Sequence, residues 1–174
     1  MEDARNRAGR VKLLLLDVDG VLTDGRIIYT SSGDELKFFD VRDGHGIKLL
    51  QRAGVKVGII TGRSSDLVAR RASELGIEVV YQGQFNKVEA LEEILADTGL
   101  SPEDVGYVGD DVVDLPVMRR VGFAASVADA HDLVKEAAHY VSPLPGGRGA
   151  VRDIVEFILR ASGKWETVMS RYLS

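Results

Sequence analysis

From Lys12 onward, short uninterrupted apolar runs alternate with stretches of helical period, a pattern that predicts βα repeats feeding a mostly parallel sheet. Residues 13–16 are four consecutive leucines, as expected for a strand covered on both faces. Residues 55–60, 79–81, 105–108 and 123–127 read as further strands, and 47–53, 66–75, 87–96 and 151–159 as helices. Gly54, Gly76, Gly99 and Gly122 follow helical stretches and are expected to cap them in the left-handed conformation. Residues 101–104 predict a helical turn or loop, and Pro116 sits near a helix start, where its missing N–H costs least. Segment 143–149, with two prolines and three glycines, reads as one long flexible stretch. One piece breaks the alternation. Residues 26–31 and 34–39 flank Ser32-Gly33 as an antiparallel hairpin carrying Ile27, Ile28, Tyr29, Leu36, Phe38 and Phe39. A lone ribbon is marginal in water, so something must cover this one.

Composition narrows the class. At 174 residues, 45% hydrophobic, the chain suits one domain with a substantial core. It has no cysteine, so disulfides and thiolate metal sites are excluded and a reducing compartment is expected. Residues 1–10 lack the apolar core of a signal peptide, and no apolar run approaches a membrane span, so a cytoplasmic protein with no membrane partner is expected. A net charge of −5 argues against a nucleic-acid partner.

The candidate chemistry starts at Asp17-Val18-Asp19-Gly20, which places two carboxylates just beyond the C-terminal end of a buried strand, where open α/β sheets bind ligands. Two residues apart on extended chain, Asp17 and Asp19 point to the same side, and carboxylates held that close call for a cation or a shared proton. An EF-hand is excluded, because the glycine falls at the fourth position and Ile28 occupies the place of the bidentate Glu. A second acidic cluster, Asp110-Asp111-Val112-Val113-Asp114, again follows a short strand and opens a helix. Hard oxygen ligands from two strand ends suit Mg²⁺, which takes one or two carboxylates plus substrate phosphate. Between the clusters lie Thr61-Gly62-Arg63, a strand end with a hydroxyl and backbone N–H groups to offer, and Lys87 at a helix start; both group types hold phosphate oxygens.

In this order, Asp-x-Asp-Gly-Val, Ile-Thr-Gly-Arg, Lys87 and Gly-Asp-Asp-x-x-Asp resemble the four motifs of the haloacid dehalogenase-like superfamily. Longer stretches (Asp-Val-Asp-Gly-Val-Leu-Thr-Asp-Gly, Val-Arg-Asp-Gly-His-Gly-Ile-Lys-Leu-Leu, Gly-Asp-Asp-Val-Val-Asp-Leu-Pro-Val-Met and Gly-Gly-Arg-Gly-Ala-Val-Arg) are similar to its capless 3-deoxy-D-manno-octulosonate 8-phosphate (Kdo 8-phosphate) phosphatases. Asp40 stands where Asn is common, and Asn86 where Asp is common.

The resemblance implies an α/β fold: a three-layer Rossmann-like parallel sheet with a β-hairpin insertion and no cap domain, over residues 11–163, with tails at 1–10 and 164–174. It implies a phosphatase of lipopolysaccharide precursor biosynthesis working through an aspartyl-phosphate. Asp17 is the implied nucleophile and Asp19 the acid and base, with Thr61 and Lys87 on the phosphoryl oxygens. Mg²⁺ is expected on Asp17, Asp19 (through its backbone carbonyl) and Asp110, with Asp111 and Asp114 orienting ligands and Lys87. Substrate contacts are expected from Asp19, Asp40, Val41, Arg42, Asp43, Gly44, Lys48, Arg63, Arg71, Lys87 and Arg148, with segment 143–149 as a lid. His45, in what reads as a glycine-flanked turn, is not expected to be catalytic; His131 and His139 are expected to pack or face solvent. The hairpin predicts a homotetramer whose four ribbons close into a barrel. A phosphatase for a nine-carbon sugar acid phosphate shares the same motifs. A phospho-accepting receiver is disfavoured because its Lys comes last, whereas Lys87 precedes Asp110.

Overall fold

The computed structural model describes residues 1–173. Six parallel strands, β1 (Leu13–Leu16), β4 (Lys56–Ile60), β5 (Val79–Tyr81), β6 (Val105–Gly109), β7 (Phe123–Ser126) and β8 (Tyr140–Val141), form a sheet of order β5-β4-β1-β6-β7-β8. The four leucines of β1 lie at its centre, paired on both edges and buried on both faces. Leu14 and Leu16 point into one core, with α2 (Val41–Arg52), α3 (Asp66–Leu75) and α7 (Ala150–Ala161). Leu13 and Leu15 point into the other, with α4 (Lys87–Thr98), α5 (Leu115–Met118) and α6 (Asp132–Ala137). This strict alternation makes the three layers, and each buried leucine contributes about 2–3 kcal/mol.

Several expectations change. Residues 1–10 and 164–173 are largely helical: α1 (Glu2–Ala8) buries Ala4 and Ala8, one turn apart, while α8 (Trp165–Leu173) buries Val168 and lays Trp165 and Met169 against the first core. The glycine-rich stretch around His45 lies within the first two turns of α2. Its glycines serve close approach rather than turning: a Cβ on Gly44 would meet Arg71 Nη2 at 2.3 Å, and one on Gly46 would meet Arg152 Cα at 3.0 Å. Gly54, Gly76 and Gly99 have the positive φ expected of them. Gly122 does not, and a Cβ there would lie 2.4 Å from the Glu103 carbonyl oxygen.

Segment 143–149 is anchored rather than loose. Gly146 N–H donates to Asp129 Oδ1 at 2.9 Å, Gly147 N–H donates to Val21 O at 2.9 Å, and a Cβ on Gly146 would overlap Gly20 O at 1.7 Å. Two glycine motifs far apart in sequence therefore pack as one layer.

The hairpin is present, with strand bounds narrower than predicted: β2 (Ile28–Tyr29) pairs antiparallel with β3 (Glu35–Leu36). Its two faces differ. Glu35, Lys37 and Phe39 turn inward, whereas Leu36 and Phe38, with Ile27 and Tyr29, are 42–63% exposed.

Candidate active site

The central strands end in a cavity of about 330 Å³ whose lining includes Asp17, Asp19, Thr61, Arg63, Lys87 and Asp110. Cavities of about 370 Å³ beside Trp165 and about 460 Å³ beside His139 gather no comparable set of carboxylates. Asp17 directly follows β1, and beyond it the carbonyl of Val18 accepts the N–H groups of Val21, Leu22 and Thr23, winding residues 18–23 into a tight loop. Gly20 sits in that loop at φ +94°, and a Cβ there would lie 2.0 Å from Asp110 Oδ2. Only glycine lets the two acidic motifs meet.

Asp17 is buried; its Oδ1 accepts Val18 N–H at 2.7 Å and its Oδ2 pairs with Lys87 Nζ at 2.9 Å. Lys87, at the start of α4, is also buried, and donates to Asp114 Oδ1 at 2.7 Å and Tyr107 Oη at 3.2 Å. Asp114 is fully engaged: Oδ1 accepts from Lys87 and Tyr107, and Oδ2 accepts the N–H groups of Asp110 and Asp111 at 3.0 and 3.3 Å. Burial and the charge of Asp114 raise Asp17 to about 6, although Lys87 opposes the shift. Burial, Asp17 and Asp114 raise Asp110 to about 8. Burial alone would lower the Lys87 ammonium, but Asp17 and Asp114 outweigh it and raise it.

Carboxylate oxygens of Asp17, Asp110 and Asp114 lie within 4.8 Å of one another. The three are not equivalent as donors to a metal. Asp114 has spent both oxygens on hydrogen bonds, whereas Asp110 Oδ1 is buried with no partner. A buried orphan oxygen among raised carboxylates is what a cation would satisfy.

The other predicted residues are spread more widely. Thr61 is buried at the cavity, but its N–H is not free, since it donates to Tyr81 O at 2.9 Å. Arg63 lines the cavity, with Nη2 2.8 Å from Glu35 Oε1 and Nε 3.8 Å from Asp19 Oδ2. None of Asp40, Val41, Arg42, Asp43, Gly44, Lys48, Arg71 and Arg148 lines the cavity of its own chain. Asp40 caps α2 by accepting Arg42 N–H at 2.7 Å, and the Arg42 side chain donates to Arg148 O at 2.9 Å. Asp43 is buried and holds the start of α7, accepting the N–H groups of Gly149 and Arg152 at 3.2 and 2.8 Å. Lys48 donates to Leu75 O at the end of α3, and Arg71 lies over the Phe39 ring at 5.9 Å. The Arg148 guanidinium is exposed, 3.9 Å from Asp24 Oδ2, and Val41 is 79% exposed. The histidines lie away from the cavity: His45 bonds Tyr172 Oη at 3.1 Å, while His131 Nδ1 and His139 Nδ1 accept backbone N–H groups.

Sequence reasoning missed Tyr107, Glu35 and Lys37. Tyr107 sits inside a strand read as apolar core, and the other two sit in a hairpin read only for its hydrophobic face. The one available signal was the period-2 spacing of Glu35 and Lys37 opposite the exposed apolar positions.

A buried Asp paired with a Lys, beside a second acidic motif at the end of a parallel sheet, is the arrangement of a haloacid dehalogenase-like hydrolase, and a model of the haloacid dehalogenase-like hydrolase family matches residues 73–149. The chain is 49% identical over 165 residues to the 3-deoxy-D-manno-octulosonate 8-phosphate phosphatase of Yersinia pestis, covering 95% of this chain and 88% of that protein. The crystal structure of the phosphatase from that organism superposes with a TM-score of 0.93 at 49% identity, covering 95% of this chain and 89% of the other. The phosphatase of the same name from Moraxella catarrhalis, solved with a magnesium ion, a phosphate ion and Kdo, gives a TM-score of 0.96 at 40% identity, covering 99% of both chains. The chain belongs to the 3-deoxy-D-manno-octulosonate 8-phosphate phosphatase family. Among the described residues, no helix is long and apolar enough to cross a membrane.

Proposed function

We propose that the chain is a Mg²⁺-dependent phosphatase that hydrolyses Kdo 8-phosphate to Kdo and phosphate through an aspartyl-phosphate on Asp17. The observation that carries this reading is Asp17 at the cavity, ion-paired to buried Lys87, beside the unpartnered oxygen of Asp110. The Moraxella relative bound to magnesium, phosphate and Kdo supports the choice of metal and sugar. A carboxylate oxygen of Asp17 attacks phosphorus as the bond to the sugar oxygen breaks, and Asp19 gives that oxygen its proton. Asp19 then takes a proton from the water that attacks phosphorus and frees Asp17. Lys87 and Thr61 hold phosphoryl oxygens, while Asp114 and Tyr107 fix the Lys87 ammonium. Mg²⁺ fits the hard oxygen donors and would be held by Asp17, the Asp19 backbone carbonyl and Asp110, where it supplies neutralisation of the gathered negative charge.

The same reading makes the protein a cytoplasmic homotetramer. Ile27, Tyr29, Leu36 and Phe38 form an exposed apolar ribbon that four copies bury by closing into a barrel. Asp40, Val41, Arg42 and Arg148 then supply sugar contacts to a site completed by a neighbouring chain. The test is phosphate release from Kdo 8-phosphate, a nine-carbon sugar acid phosphate and simple hexose phosphates, with Mg²⁺ or excess EDTA. Expected is preference for Kdo 8-phosphate, silence in EDTA, and no turnover by a folded Asp17→Asn variant. Equal rates on hexose phosphates would overturn the substrate, and turnover by Asp17→Asn the mechanism.

A further inference from the structure

The inward face of the hairpin holds a feature that the reading above does not use. Lys37 contributes a side chain only 2% exposed, and its Nζ donates to Asp19 Oδ1. The same Nζ lies 3.6 Å from Glu35 Oε1, and Glu35 in turn accepts from Arg63 Nη2 at 2.8 Å. Arg63 Nε closes the ring at 3.8 Å from Asp19 Oδ2. Four charges thus alternate around a loop: Asp19, Lys37, Glu35, Arg63. Lys37 does not line the cavity, so the ammonium reaches Asp19 from behind, through the ribbon.

A lysine this buried carries a large desolvation cost unless its partners are fixed, and a surface ribbon has no structural need for one there. We infer that Lys37 is a positioning residue: it ties up Asp19 Oδ1, so that Oδ2 is the oxygen left to serve the leaving group. In the first chemical step a bond forms from Asp17 to phosphorus, the bond from phosphorus to the sugar oxygen breaks, and its electron pair stays on that oxygen. The oxygen takes the proton of Asp19, which is left as a carboxylate facing Lys37 and Arg63. The ammonium therefore fixes the geometry of the donor and meets the anion that proton transfer leaves behind. Because Lys37 stands on the ribbon proposed to build the tetramer, the same ribbon that would carry the intersubunit surface also orients the acid. The inference rests on the assignment of Asp19 as that acid.

The experiment exploits leaving-group chemistry. An alkyl oxygen needs a proton to depart; p-nitrophenolate does not. kcat/KM covers the steps through loss of the leaving group, and the ratio of kcat/KM on Kdo 8-phosphate to that on p-nitrophenyl phosphate is independent of how much of a preparation is folded. For Lys37→Met this ratio is expected to fall about 10–100-fold, with p-nitrophenyl phosphate within about 3-fold of wild type, in line with partial loss of a proton-transfer contribution. Lys37→Arg, which retains charge and donors, should recover most of the ratio. Asp19→Asn run alongside should show the same selective loss, and more of it. An unchanged ratio in Lys37→Met with a fall in Asp19→Asn would overturn the role of Lys37 alone; no selective fall in Asp19→Asn would overturn the acid assignment beneath it. If Lys37→Met yields no folded protein, Glu35→Gln, which loosens Lys37 and Arg63 together, should lower the ratio several-fold, and a wild-type ratio there would equally overturn the proposal.

Discussion

Asp110 should be destabilising in the metal-free protein, and Asp110→Asn measures by how much. Its carboxyl ordinarily titrates near 3.8 but is raised to about 8 by burial, by Asp17 and by Asp114. Between those values the folded state keeps a proton that the unfolded chain gives up. Stability therefore falls as pH rises through that window, and is greatest below the unfolded value. At about 1.4 kcal/mol per pH unit, the deficit by pH 7 is at most ~4 kcal/mol, and sharing of charge with Asp17 brings it to roughly 2–3 kcal/mol. Asn fills the same space without the charge, so the metal-free variant should melt higher than wild type at pH 7. For a domain of this size ~2–4 °C per kcal/mol implies a gain of about 4–12 °C, shrinking towards zero near pH 4. Mg²⁺ should close the gap. At a hundredfold excess over its dissociation constant a ligand stabilises by about 2.7 kcal/mol, available to wild type and largely lost in the variant. Differential scanning calorimetry in EDTA and in Mg²⁺, across pH 4 to 8, reads all of this. An Asp110→Asn protein that melts lower than wild type in EDTA at pH 7, or that gains as much from Mg²⁺ as wild type, would refute the reasoning.

Gly20→Ala should uncouple the two acidic motifs. Its Cβ would stand 2.0 Å from Asp110 Oδ2 at φ +94°, so the expected result is a loss of roughly 1–3 kcal/mol in denaturant titration together with a Mg²⁺-induced melting shift reduced to a fraction of wild type; an unaltered shift would show that the loop accommodates the methyl. Phe38→Asp should place a charge on the exposed ribbon and yield monomers or dimers in sedimentation velocity at micromolar concentration, where the wild type is expected to sediment as a tetramer; an intact tetramer would move the interface elsewhere.

How much of this was legible in the sequence follows from how each feature is encoded. The leucines of β1 announce a doubly covered strand because burial on both faces leaves no polar position to interrupt the run. The acids at its end are legible for the same reason: nothing else explains carboxylates directly after such a strand. Helix α1 was missed because its core contacts are Ala4 and Ala8, too weakly apolar to mark a helical period among charges. Helix α2 was cut short because Gly44 and Gly46 read as turn residues, whereas they are small to admit Arg71 and Arg152. A glycine selected for what approaches it and one selected for its φ look identical in a sequence. The inward polar face of the hairpin was hidden differently: Glu35 and Lys37 resemble ordinary edge charges until Asp19 and Arg63 stand opposite them.

The anchoring of segment 143–149 bears on how the active site excludes water. A lid requires a segment whose backbone can leave its bed, yet this backbone is bonded to Asp129 and Val21 and packed on Gly20 so closely that a single methyl group would not fit. Moving it would also disturb the loop that presents Asp17 and Asp19 and break the hold of Asp43 on the first turn of α7. The exposed Arg148 side chain can move towards a substrate without that penalty. With no cap among the described residues, the cavity has the ribbon beside it, and the ribbon carries Lys37 on one side and the apolar surface on the other. Cover for the aspartyl-phosphate is therefore expected from assembly, through the ribbon and a neighbouring chain, and the tetramer-breaking Phe38→Asp should lower turnover even though Phe38 lies outside the cavity.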